Sequence, residues 1–163
     1  MPSPHARSAL RGFMALALAV LLPLAAIACF DAWRERAALQ ATQQRGAQLF
    51  DGREALAGTL AGHAAPMPPG TLRCSQCHTG PGAASPAAST AQPLGPVLDR
   101  DHLRRALLRR NGPPTAYDLA AFCRALRVGI DPAHVTLPRA MPRFEIDDAR
   151  CDALWTYLTQ TPT

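Results

Sequence analysis

The stretch Arg73 to Gly80, RCSQCHTG, constrains this chain more than any other. It sets two thiols and an imidazole within five residues, and three chemistries use such a set. A structural zinc site needs four ligands, usually with a second Cys/His pair at close spacing. None exists here, because His63 and His102 stand alone. Thiol exchange places its C-x-x-C between a strand and a helix, and no alternating apolar run of strand type occurs in the sequence. Covalent attachment of haem needs two thiols spaced to meet two vinyl groups, with a histidine placed to reach the iron. Cys74, Cys77 and His78 supply that arrangement, so one covalent haem c is the expected cofactor.

Composition fits a fold built around such a group. The 163 residues are enough for one domain with a core. Aromatics make up only 6% and prolines number 16, so aliphatic residues alone give a thin core that a large apolar cofactor would help to fill. All 17 basic residues are arginine. The net charge of +5 falls to about +3 without Arg7 and Arg11, which argues against nucleic acid as a partner.

The N-terminus reads as an export signal. Arg7 and Arg11 precede an apolar run, Phe13 to Phe30, interrupted only by Pro23. Three outcomes are open: cleavage after Ala28, lipidation of Cys29, or an uncleaved anchor across a bilayer. Residues 1–30 are therefore a signal peptide or signal anchor, and residues 31–44 a helical stalk. Residues 45–163 form the domain. With the anchor retained, residues 13–30 lie in the bacterial inner membrane and the domain faces the periplasm. Soluble periplasmic and lipid-anchored forms are the alternatives.

The expected fold class is all-α. Asp31 to Asp51 lacks proline and is rich in helix formers, with Gly46, Leu49 and Phe50 on one face. Asp99 to Arg110 reads as a short helix with Leu103, Ala106 and Leu107 in one stripe. Tyr117 to Val128 carries Leu119, Phe122, Cys123 and Leu126 at helical spacing, and Gly129 ends it. Asp147 opens a last helix to about Thr159 that buries Cys151, Leu154, Trp155 and Leu158. Gly52 to Arg73 and the Ala/Ser/Pro stretch before Gly95 read as connections. In an oxidising compartment, Cys123 and Cys151 facing a common core are expected to pair, tying the third helix to the last.

The iron's other face needs a ligand from a stiff loop downstream. Met141, between Pro138 and Pro142 in LPRAMPRF, is the expected sixth ligand. Met67, His63, His102 and His134 are its rivals, with His134 in the same loop the strongest. A lone methionine is ordinarily core filler, but the flanking prolines take Met141 off a helix face.

CSQCH, LGPVL and AMPRFEIDDARCDALWTYL together resemble a class I cytochrome c, over roughly Arg45 to Thr159. The resemblance implies a helical domain around one haem. It implies that the first and last helices cross, with Gly46 and Phe50 against Leu154 and Trp155. It also implies that the Pro96 carbonyl accepts the proximal imidazole's N–H, raising the ligand's basicity. Two features depart from compact members: 23 residues separate Phe50 from Cys74, and the Ala/Ser/Pro stretch before Gly95 is long.

One haem with two protein ligands leaves no open position for substrate, so the expected role is electron carriage between respiratory or dehydrogenase partners, not catalysis. A haem-c sensor, or an accessory haem subunit of a dehydrogenase complex, is the alternative. The expected partners are membrane-associated redox proteins, with the chain a monomer or a subunit of a redox complex. Arg100, Arg104, Arg105, Arg109 and Arg110 crowd one short helix. They form either a solvated face or a surface that steers an acidic redox partner.

Overall fold

The computed structural model describes residues 4–68, 70–81, 94–109 and 111–160, with side chains of residues 4–21 excepted. The chain divides into two units, residues 1–40 and 41–163. The 47-residue helix α1, Pro4–Phe50, supplies the first unit and enters the second. Most of the Ala/Ser/Pro stretch, residues 82–93, lies outside the described residues.

Among the described residues, no helix is long and apolar enough to cross a membrane. This overturns the inner-membrane placement with residues 13–30 as anchor. Asp31, Arg34, Glu35 and Arg36 close the apolar run of α1 directly after Phe30. At 1.5 Å per residue the run from Phe13 to Phe30, 18 residues, is roughly 27 Å long, slightly under a bilayer hydrocarbon thickness of about 30 Å. Residues 13–21 of the expected anchor lie outside the described side chains.

The second unit is mostly helical. After the end of α1 come α2 (Arg100–Arg104), α3 (Leu119–Val128) and α4 (Asp148–Gln160). Each starts where an aspartate can satisfy an orphan backbone N–H. Asp99 accepts from His102 N, Asp118 from Ala121 N and Asp147 from Arg150 N, all at 2.7 Å. Gly129 stops α3 at φ 70°, the left-handed value that favours glycine.

Gly46, Leu49 and Phe50 are buried on one face of α1, as expected. A Cβ on Gly46 would stand 2.1 Å from Ala153 O and 2.6 Å from Tyr157 Cβ, so only glycine lets α1 and α4 approach this closely. Phe50 meets Tyr157 with ring centroids 5.7 Å apart. The expected partner Trp155 instead tilts against Phe122 at 5.4 Å. The correction has a helical cause: Ala153 and Tyr157 are four residues apart and share a face, which Trp155 does not.

Cys123 and Cys151 form the expected disulfide, with Cα atoms 5.9 Å apart. Two short strands, β1 (Ala57–Thr59) and β2 (Arg143–Glu145), form an antiparallel ribbon in which Gly58 faces Phe144. The sequence reading holds no strand, so the ribbon is an addition to a mostly helical unit. The arginine-rich helix is shorter than expected. α2 ends at Arg104, and Leu107 bridges to Thr115 in extended backbone.

Candidate functional site

A 3-10 turn over Cys74–Gln76 opens the site. Cys77 N and His78 N both donate to Cys74 O, at 3.1 and 2.8 Å, which coils the motif tightly. Cys74 is buried and Cys77 half-buried, and neither is joined to another cysteine. Burial pushes the Cys74 thiol up to about 12. A thiol-exchange enzyme needs the opposite shift, since its nucleophile is a thiolate. Among the described residues no group of three or more His, Cys, Asp and Glu is placed to hold a metal, so the zinc reading finds no partners there.

His78 is held on two sides. Its Nδ1 lies 2.8 Å from Pro96 O, the contact expected for Pro96, so Nδ1 carries the proton and donates while Nε2 keeps its lone pair. Burial lowers the imidazole's pKa, against the pull of the Pro96 carbonyl, and favours the neutral ring. Gly95 lies against the ring: a Cβ there would be 2.3 Å from His78 Cε1. Two backbone bonds fix the opposing segments, Gly95 N to Cys77 O and Leu98 N to Thr79 O, both 2.8 Å. Gly80 continues the close packing, since a Cβ there would stand 2.9 Å from the Phe50 ring. Backbone pairing thus aims the imidazole before any ligand is considered.

Met141 is half-buried and packs against the hydrophobic core that contains Cys74. Met67 packs against that core as well, beside the ribbon, where its N donates to Gly58 O at 2.8 Å. The three histidine rivals are exposed, and His102 is engaged by Asp99 at 2.7 Å. The loop carrying Met141 is a chain of local ties. Asp131, buried, accepts from Val135 N through Oδ1 at 2.8 Å, and Leu137 N donates to Gly129 O at 2.8 Å. Met141 N donates to Pro138 O at 3.1 Å. His134 takes φ 60°, an uncommon value for a residue with a Cβ.

Two residues of this region escaped the sequence reading. Gly95 was visible only as the neighbour of Pro96, and its packing on the ring had no local signal. Arg143 donates to the carbonyls of Met141 and Leu137, and nothing in LPRAMPRF distinguishes it from any surface arginine. The reading of five solvent-facing arginines needs correction too. Arg109 lies 4.8 Å over the Tyr117 ring and donates to Thr115 O and His102 O, so it is engaged in the fold. Arg100, Arg104 and Arg105 are exposed, and Arg110 lies outside the described residues.

No family model, no curated protein and no solved structure matches the chain. Its chemistry has to be read from its own residues.

Proposed function

We propose that the chain is a class I, single-haem c-type cytochrome that carries electrons and is not an enzyme. The observation that carries this reading is the His78 Nδ1 to Pro96 O bond at 2.8 Å. Such a bond fixes the tautomer, leaves Nε2 as the donor to a metal and raises its basicity. Beside it stand two unpaired thiols at the spacing a covalent haem requires, one of them far from thiolate chemistry. These residues fit the group: Cys74 and Cys77 would hold it, His78 would ligate one face of the iron and Met141 the other. When bound, haem iron supplies a one-electron change of charge. The chain's part is to aim the imidazole, to shield the site with the packed ends of α1 and α4, and to hold the thioether in its loop. The Cys123–Cys151 disulfide fits export to an oxidising compartment. The partners of such a carrier are redox proteins.

The test is direct. The protein should stay red after acid-acetone extraction, with a mass above that of the polypeptide by one haem. Met141→Ala should abolish the far-red band of methionine-ligated ferric haem and lower the reduction potential, because a thioether favours ferrous iron. Met67→Ala should do neither. A colourless protein of polypeptide mass sinks the reading.

A further inference from the structure

Arg143 is a half-buried arginine whose described hydrogen bonds all go to carbonyls. Its Nη1 donates to Met141 O, and its Nη2 donates to Leu137 O at 3.2 Å. Those two carbonyls stand at the ends of the turn Leu137-Pro138-Arg139-Ala140-Met141, whose middle residues are exposed. The guanidinium therefore closes the mouth of the turn from which Met141 projects. Its fork of fixed donors suits this task, whereas an ammonium on a flexible stem would hold one carbonyl at a time.

The rest of the surroundings commits the side chain to that place. The guanidinium lies directly on Gly129, where an added Cβ would be 1.9 Å from Arg143 Cζ. Gly129 is also the left-handed stop of α3, and its carbonyl accepts from Leu137 N at 2.8 Å. The backbone of Arg143 belongs to β2 and pairs with Thr59. One residue thus joins the ribbon, the end of α3 and both ends of the methionine turn.

We infer that Arg143 is a positioning residue for Met141: its guanidinium clamps the turn so that the thioether stays on the iron. The inference rests on the proposed haem reading. Without the clamp the turn opens, and a small ligand from solvent competes better for the iron. The side chain touches no reacting atom; it acts through the backbone that carries the ligand.

Exogenous imidazole is the probe, titrated into the ferric haem-loaded protein and followed by loss of the far-red methionine band. Arg143→Gln should bind imidazole about tenfold more tightly than the parent, the effect of removing charge-assisted hydrogen bonds. Arg143→Lys should fall between them. Glu145→Gln, on the same strand but exposed and away from the turn, should match the parent. A second readout needs no haem chemistry: trypsin should cut after the exposed Arg139 faster in Arg143→Gln, as seen on a reducing gel. Thermal melts of all variants separate loosening of the turn from loss of the fold. A band in the parent, with imidazole affinity and trypsin cutting unchanged in Arg143→Gln, overturns the clamp and leaves the haem reading intact. A parent with no covalent haem, or no methionine band, overturns the reading and the clamp with it.

Discussion

Around His78 the chain is held by its own backbone. Gly95 N and Leu98 N reach back to Cys77 O and Thr79 O, Pro96 O accepts the hydrogen bond from His78 Nδ1, and glycine is the only residue that fits against the ring. Around Met141 backbone ties such as Leu137 N to Gly129 O are supplemented by side chains: the Asp131 carboxylate, the Arg143 guanidinium and the disulfide that closes the loop from outside. Backbone ties hold one geometry because neither partner can turn away. Side-chain ties can be released one at a time. The histidine half of the proposed site therefore leans on backbone ties, and the methionine half adds side-chain ties that mutations can release.

The largest effect should come from breaking the histidine half. Gly95→Ala drives a Cβ into the imidazole beside Nδ1, the atom that Pro96 O holds. We expect a loss of about 3 kcal/mol, the upper end of overpacking costs, together with loss of the His78–Pro96 bond. Denaturant unfolding measures the first, and the chemical shift of the His78 ring N–H the second. An unchanged midpoint would mean that the imidazole is not held by this segment.

Opening the other half through its crosslink should cost about as much but act elsewhere. Cys123→Ala with Cys151→Ala removes a tie between residues 28 apart in sequence, for a loss of about 3 kcal/mol by loop entropy. Amide exchange should quicken across residues 130–142 and stay slow at residues 77–80; equal quickening would erase the contrast. Titration of the unfolded parent should find no thiol from either cysteine.

A smaller, acid-dependent effect tests the frame both halves share. Glu54 accepts from Arg45 Nε and Nη2 at 3.0 Å, and Arg150 Nε of α4 lies 3.0 Å away. The Arg45 hydrogen bond holds the carboxyl below its ordinary value, against the opposing effect of burial. A carboxyl lower in the folded chain stabilises above its unfolded value, about 4.3, and that stabilisation goes as pH falls through the folded value. Glu54→Gln should therefore lower the melting temperature slightly at neutral pH, and by progressively less as the solution is made acidic. A difference that does not shrink with acid would assign the effect to packing.

The smallest change is His134→Gly. Relieving a left-handed φ of 60° should alter stability by no more than about 1 kcal/mol, because glycine's gain there is offset by its freer unfolded chain. The far-red band should not move. Its loss would mean that the His134 backbone or side chain helps to hold Met141 in place.

How legible all this was follows the same division. The motif, the glycine and aromatic of α1 and the apolar phases of α3 and α4 are local patterns, and they lie where the sequence puts them except at Leu119, the first residue of α3, which is exposed. Tyr157 was missed as the partner of Phe50 because neighbours on a helix differ by about 100° in direction, and sequence alone did not say which of Trp155 and Tyr157 faced α1. The ribbon left no trace: each strand is three residues, one is centred on Gly58, and they meet only through tertiary packing. The arginine helix was overextended because Leu107 joins Thr115 in a bridge that helical periodicity cannot show. Gly95 acts on the ring of His78 in a different segment, and Arg143 acts on nearby carbonyls that only the folded turn brings to its guanidinium.

The cysteines pose a sorting problem. Four of them, Cys74, Cys77, Cys123 and Cys151, must divide into one bonded pair and two thiols, although four cysteines allow three fully paired arrangements. The folded chain guards the outcome. Burial pushes the Cys74 thiol up to about 12, away from the thiolate that thiol–disulfide exchange requires, which disfavours oxidation of Cys74 to Cys77 in the folded chain. The hazard belongs to the newly made chain, in which all four thiols are equally reactive and the nearest neighbours are the wrong pair to join. For the proposed haem attachment, Cys74 and Cys77 must both be reduced when the group arrives, so the order in which the four thiols oxidise matters.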